Sequence, residues 1–159
     1  LIEEQLRRII REEDWALMDL RISDFASFND VYGFVAGDDV LRFSAMLLGE
    51  VVDEFGTPND FIGHAGGDNF IIISTDEAAK KTIKVIKERF DEEVQTHYNF
   101  MDREQGFVQT PNADGEMIQS PLMTMTAGVV SPKEHRFADI REITEMAAEA
   151  RRNDTKTEA

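Results

Sequence analysis

Apolar and polar positions follow two rhythms along this chain. In residues 1–14, Leu1, Ile2, Leu6, Ile9 and Ile10 stand at near-helical spacing among charged neighbours, which predicts a helical connector arriving from an upstream domain. Residues 15–22 (WALMDLRI) alternate as a strand does. Residues 24–38 read as a short helix closed by Gly33, followed by a loop around Gly37. Residues 39–55 read as a longer helix, with Val40, Leu41, Leu47, Leu48, Val51, Val52 and Phe55 on one apolar face. Thr57-Pro58-Asn59-Asp60 ends that helix.

Two short strand patterns, residues 61–64 and 69–74, flank Ala65-Gly66-Gly67-Asp68 and predict a β-hairpin. The second is apolar on both faces (Phe70-Ile71-Ile72-Ile73), as a central strand would be. Residues 75–94 predict a helix in which Ala79, Ile83, Ile86, Phe90 and Val94 face inward. Residues 98–121 read as an insertion, with two short strands around Asp114-Gly115 forming an extra hairpin near 105–120. Residues 122–130 predict a strand, and residues 138–152 a helix with Ile140, Ile143, Ala147 and Ala150 inward. This order predicts an α+β fold: a central, mainly antiparallel sheet covered by helices.

At 159 residues the chain has the size of one domain. Hydrophobic residues make up 42%, ordinary globular usage, so a core is expected. The formal net charge of −15 argues against a nucleic-acid backbone or an anionic membrane as partner, since both need a basic face. Without cysteine there is no disulfide, thiolate metal site or cysteine nucleophile. No apolar run is long enough to span a bilayer, and no signal-peptide pattern is present. The expectation is a soluble, cytoplasmic domain of a larger protein, with residues 1–14 as connector and residues 15–159 as the domain.

Two segments carry candidate chemistry: residues 21–38 (RISDFASFNDVYGFVAGD) and the hairpin tip Gly66-Gly67-Asp68-Asn69-Phe70. Together they resemble the GGDEF family, diguanylate cyclase domains that condense two GTP into cyclic di-GMP. The family pattern D-x-D-x-F-K-x-x-N-D-x-x-G-H-x-x-G-D is matched without a gap at Phe25, Asn29, Asp30, Gly33, Gly37 and Asp38. The hairpin signature follows as GGDNF. The resemblance covers essentially the whole chain and implies the nucleotide-cyclase-like fold of that family.

It also implies roles. Phe25 belongs to the nucleotide-binding segment, and Asn29 and Asp38 would hydrogen-bond the guanine edge. An amide offers donor and acceptor there, and a carboxylate accepts from N1–H and the exocyclic amine. Gly66 and Gly67 would let backbone approach the phosphates. Asp68, with the Ile22 backbone carbonyl, would ligate Mg2+, a hard cation that takes oxygen donors. On residue types alone, Asp38 could equally be the N-cap of the next helix, and the glycines simple turn residues.

The departures fall on the chemistry. Cyclisation is a phosphoryl transfer clamped by two metal ions. Here the family's two leading acids are Arg21 and Ser23, and Asn69 stands at the signature's acid position. A guanidinium cannot ligate magnesium and puts charge where a cation belongs. Asp19, on the same face of its strand, sits about 7 Å from residue 21. An Asp19–Arg21 ion pair is expected before a rescued metal site, and Arg21 could instead meet phosphate oxygens directly. Ala26 and Phe34 replace the family's Lys and His. Thr57 replaces the arginine of the R-x-x-D product-inhibition site that ends at Asp60. The late phosphate motif is not recognisable around Arg151 and Arg152, which read as cations favourable to a helix C-terminus. His64, His97 and His135 are scattered and are not read as ligands.

The reading is a degenerate GGDEF domain, without cyclase turnover, retaining part of a GTP pocket with a weak or single Mg2+ site. Its expected partners are a guanine nucleotide, a second copy in a homodimer, and an upstream sensor or receiver domain. One alternative is an active cyclase with an unusual metal cage using Asp19 or Asp24. The other is a pure protein-interaction module.

Overall fold

The computed structural model describes residues 1–157, with side chains to residue 154. Helix α1 (Ile2–Ile9) precedes strand β1 (Ala16–Ser23), and helices α2 (Phe25–Tyr32) and α3 (Phe34–Phe55) follow it. The hairpin β2 (Phe61–Gly66) and β3 (Asn69–Ser74) leads to α4 (Asp76–Glu93), a 3-10 turn (Val94–His97) and α5 (Phe100–Gln105). A ribbon of β4 (Phe107–Pro111) and β5 (Met117–Pro121), strand β6 (Thr124–Val130) and helix α6 (Ile140–Thr157) complete the order. Residues 158 and 159, at the end of the expected 15–159 domain, lie outside the described residues.

The main sheet runs β2-β3-β1-β6, with every neighbouring pair antiparallel, and β4–β5 stands apart as a two-stranded ribbon. The expected α+β architecture, the central place of β3 and the extra hairpin are all present. Helices cover both faces, because β1 buries both of its alternating sets. Ala16, Met18, Leu20 and Ile22 meet Phe28, Val40, Leu48, Ile86 and Phe90 from α2, α3 and α4. Leu17 joins Ile71, Ile73 and Val130 against Leu6 and Ile9 of α1 and Ile143 and Ala147 of α6. Each fully buried large side chain contributes roughly 1.5–3 kcal/mol. Gly128 of β6 lets α6 settle directly on the strand: a Cβ there would lie 2.2 Å from the Arg151 nitrogen and 2.4 Å from the Ala147 oxygen.

Four points of the sequence reading are corrected. The loop around Gly37 does not exist: α3 begins at Phe34, immediately after Gly33, whose φ of 91° turns the chain between two helices. Gly33 caps both, donating to the Asn29 carbonyl at 2.8 Å and accepting from the Gly37 N–H at 3.0 Å. Asp38 is therefore an exposed residue inside α3 and not its N-cap. α5 was not foreseen; its cap is Asn99, whose side chain accepts from the Asp102 N–H at 2.9 Å. α1 stops at Ile9, short of the connector's expected end at residue 14. Among the described residues no helix is long and apolar enough to cross a membrane.

Candidate functional site

The end of β1, the α2–α3 corner and the β2–β3 tip supply the residues singled out in the sequence. Asn29, in the last turn of α2, lays its side chain over Gly37. A Cβ at residue 37 would come 1.8 Å from Asn29 Oδ1, so only glycine leaves room for that amide. Asn29 Oδ1 is buried and has no hydrogen-bond partner among the described residues. Asp38, exposed, follows Gly37 directly, and Phe25, half-buried, packs against the core at the start of α2. The corner thus presents an amide and a carboxylate from adjoining helices.

At the tip, Gly66 (φ 115°) and Gly67 (φ 53°) hold a backbone shape that side chains resist. A Cβ built on either would meet nothing within 4 Å, so the space above the turn is open to a ligand. Two contacts brace the turn. His64 Nε2 donates to the Gly67 carbonyl at 2.6 Å while its ring stacks on Phe70, with centroids 4.8 Å apart. The Ile22 N–H donates to the Asp68 carbonyl at 3.1 Å, so the end of β1 and the tip are joined through backbone. The bracing role of His64 was missed, although its place two residues before the glycines was visible.

The charged groups sort differently from expectation. Arg21 does not pair with Asp19; its Nε lies 3.5 Å from Asp68 Oδ1. Asp19 instead meets Arg151 of α6, Nε to Oδ1 at 3.1 Å, with both side chains about nine-tenths buried or more. Asn69 completes this network, its Nδ2 donating to Asp19 Oδ1 at 2.6 Å and to the Leu20 carbonyl at 2.7 Å. The physical reason is that α6 covers the face of β1 bearing Asp19, and a buried carboxylate needs its cation in the same dry layer. Arg151 is thus no helix-end cation in solvent. Its place in the stripe Ile143, Ala147, Arg151 was the signal available in the sequence.

Asp24 starts α2 with left-handed backbone (φ 65°). Burial pushes its carboxyl above the usual value, with the Ser23 and Ser120 hydroxyls pulling the other way. Behind the corner, Tyr98 is buried, accepts from the Met123 N–H at 2.8 Å, and has its phenol pushed up to about 12 by burial. Asp60 is consumed locally, accepting from the Thr57 N–H at 2.9 Å, the Thr57 hydroxyl, and the Ser74 hydroxyl at 2.8 Å.

Magnesium would need several oxygen donors converging on one point. The candidates at the tip are the Asp68 carboxylate and the Ile22 carbonyl, and the Arg21 guanidinium already stands against Asp68. Among the described residues no three His, Cys, Asp or Glu side chains gather as a metal-binding group. This donor set does not fit a two-ion cage.

The family described as "Diguanylate cyclase, GGDEF domain" matches residues 1–156. The signalling protein YkoW of Bacillus subtilis is 39% identical over 87 residues, a match spanning 49% of this chain and 10% of that protein. Among solved structures, the GGDEF domain of TpbB (YfiN) from Pseudomonas aeruginosa superposes with a TM-score of 0.70 at 19% identity, covering 98% of this chain and 82% of that one. The GGDEF domain of DgcB from Caulobacter crescentus, solved with c-di-GMP, gives 0.64 at 20% identity and coverages of 98% and 81%. The active GGEEF domain of a Vibrio cholerae diguanylate cyclase gives 0.63 at 23% identity and coverages of 97% and 83%. At these identities the structural matches speak for a shared fold.

Proposed function

The chain belongs to the GGDEF, diguanylate cyclase family, and from that premise we propose a signalling domain that holds a guanine nucleotide without converting it to cyclic di-GMP. The observation that carries this reading is the Arg21–Asp68 contact. The one acid left at the tip faces a cation supplied by the protein itself, where the family places metal. Asn69 supports it, since its amide is committed to Asp19 and cannot act as a base.

What remains suits nucleotide binding. The half-buried Asn29 amide beside Gly37 and the exposed Asp38 carboxylate form a polar pair suited to a guanine edge. Gly66 and Gly67 offer open backbone to phosphates, and Arg21 supplies a guanidinium whose fork matches phosphate oxygens. An ion carried in on the triphosphate would supply charge neutralisation beside Asp68 and Ile22. Because Arg21 already provides positive charge there, affinity should depend weakly on magnesium. With Thr57 in place of the arginine, and Asp60 held by Thr57 and Ser74, the product-inhibition surface has lost its partner for cyclic di-GMP. The wider setting follows as part of the proposal: a cytoplasmic module, regulated through α1 by an upstream sensor or receiver domain, able to form homodimers.

Equilibrium titration with GTP and ATP, with and without magnesium, tests this directly. GTP should bind more tightly than ATP, and Asp38→Ala should weaken GTP by about 5- to 150-fold, the equivalent of ~1–3 kcal/mol for a lost buried hydrogen bond. Chromatography of a long incubation should show no cyclic di-GMP. Multiple turnovers per chain would restore the active-cyclase reading. Equal, weak binding of both nucleotides, unchanged in Asp38→Ala, would leave only an interaction module.

A further inference from the structure

The α2–α3 corner carries a feature that nucleotide binding does not use. Phe34 and Val35 open α3 at 82% and 78% exposure, and Val31, one turn before, is also uncovered. Phe34 stands where the family pattern has a histidine, so an apolar ring replaces a polar one in full solvent. Beside this corner, α5 opens with Phe100 and Met101, exposed by 66% and 74%. The two elements are latched together: the Asn99 N–H donates to Tyr32 Oη at 3.1 Å, and the Tyr32 hydroxyl donates to the Asp102 carboxylate. Phe28 and Tyr98 pack behind Tyr32, with ring centroids 4.7 and 5.6 Å from it. Five exposed apolar side chains therefore flank one hydrogen-bonded seam. Uncovered apolar side chains gathered beside one another on a soluble protein are often tied to binding.

The surroundings of the patch select its occupant. Asp30 and Glu104 on these helices are exposed carboxylates, as is Asp38, which the nucleotide pocket shares. Of the two guanidiniums on those helices, Arg42 is already paired with Asp39, leaving Arg103. An acidic rim repels a second copy of the same rim and repels anionic lipid. We propose that this seam is a docking surface for a basic amphipathic helix of a partner protein. The apolar stripe of such a helix would cover Phe34, Val35, Phe100 and Met101, while its Lys and Arg side chains reach the carboxylates around them.

The probe is a fluorescein-labelled amphipathic Leu/Lys peptide of about five helical turns. Two further peptides serve as controls, a Leu/Glu peptide of the same pattern and a Leu/Lys peptide scrambled to destroy the apolar stripe. Anisotropy at physiological salt should show binding of the amphipathic Leu/Lys peptide alone. Phe34→Ser/Phe100→Ser should weaken it at least about tenfold, as removal of central aromatic anchors does. Met46→Ser, an equally exposed apolar position three turns further along α3, should leave it unchanged. Circular dichroism should show both variants folded, since the replaced side chains are exposed. Equal binding to parent and double variant, or equal binding of the scrambled peptide, reduces the effect to charge and overturns the proposal. So does no binding at all. A parent oligomer in sedimentation equilibrium that Phe34→Ser/Phe100→Ser dissolves would make the occupant a second copy, which also overturns it.

Discussion

Asn69 donates its side-chain amide to Asp19 diagonally across the β1–β3 pair, at 2.6 Å, from the position where the family signature has an acid. The same Asp19 oxygen receives Arg151 Nε at 3.1 Å. One buried carboxylate thus joins the hairpin tip to the last helix.

Removing that carboxylate strands a buried guanidinium. Asp19→Ala should lower unfolding free energy by about 3–5 kcal/mol, because Arg151 keeps its charge and loses its counter-ion. The paired replacement Asp19→Leu/Arg151→Met should recover most of that loss, since an apolar pair of similar volume no longer needs desolvated charges. Urea unfolding of the parent, Asp19→Leu, Arg151→Met and the double variant closes the cycle. A double variant as unstable as Asp19→Ala would mean that the ion pair is not the source of the effect.

Two glycines of α3 should respond to the same substitution with opposite signs. Gly49→Ala adds a methyl with nothing within 4 Å and replaces a poor helix former, so it should stabilise by ~0.8–1 kcal/mol. Gly37→Ala forces the Asn29 amide out of its seat and should destabilise by roughly 1–3 kcal/mol. Its preference for GTP over ATP should fall as well. Denaturant midpoints and parallel nucleotide titrations read both effects.

Asp24 gives the chain a pH signature. Burial raises its folded pKa above the ordinary aspartate value. The folded state therefore holds a proton that the unfolded chain has released between those two values. The stability contributed by protonated Asp24 is fully present below the unfolded pKa and is lost as pH rises through the folded one. Asp24→Asn keeps the shape, stays neutral and tolerates left-handed backbone. It should raise Tm relative to the parent at about pH 7 and give no advantage at about pH 3. A gain of equal size at both pH values would trace the effect to backbone preference alone.

Element order was legible because each element carries its own period. The step pattern of Ala79, Ile86 and Phe90 and the double-sided run Phe70 to Ile73 both place residues that are buried in the fold. Gly37 misled because a glycine ordinarily marks a break, whereas here it makes room inside a helix for a side chain from the preceding one. The charge partners were not legible for a related reason. Asp19 and Arg21 share a strand face, and local spacing suggests a pair, but α6 covers only the inner position, so Arg151 takes Asp19 and Arg21 turns to the tip. Local pattern gives elements; which cation reaches which carboxylate depends on which helix lies over them.

Gly128 carries a consequence that reaches beyond packing. Where backbone lies on backbone there is no rotamer to absorb a change, and Arg151 sits at that contact. The chemical character of residue 69 is then underwritten by a missing methyl group on a different strand. An acid placed at residue 69 alone would face the Asp19 carboxylate across the 2.6 Å that the Asn69 amide now bridges, with Arg151 shared between the two carboxylates. A change of charge at the tip is therefore felt at the seat of the last helix, where Arg151 lies against Gly128.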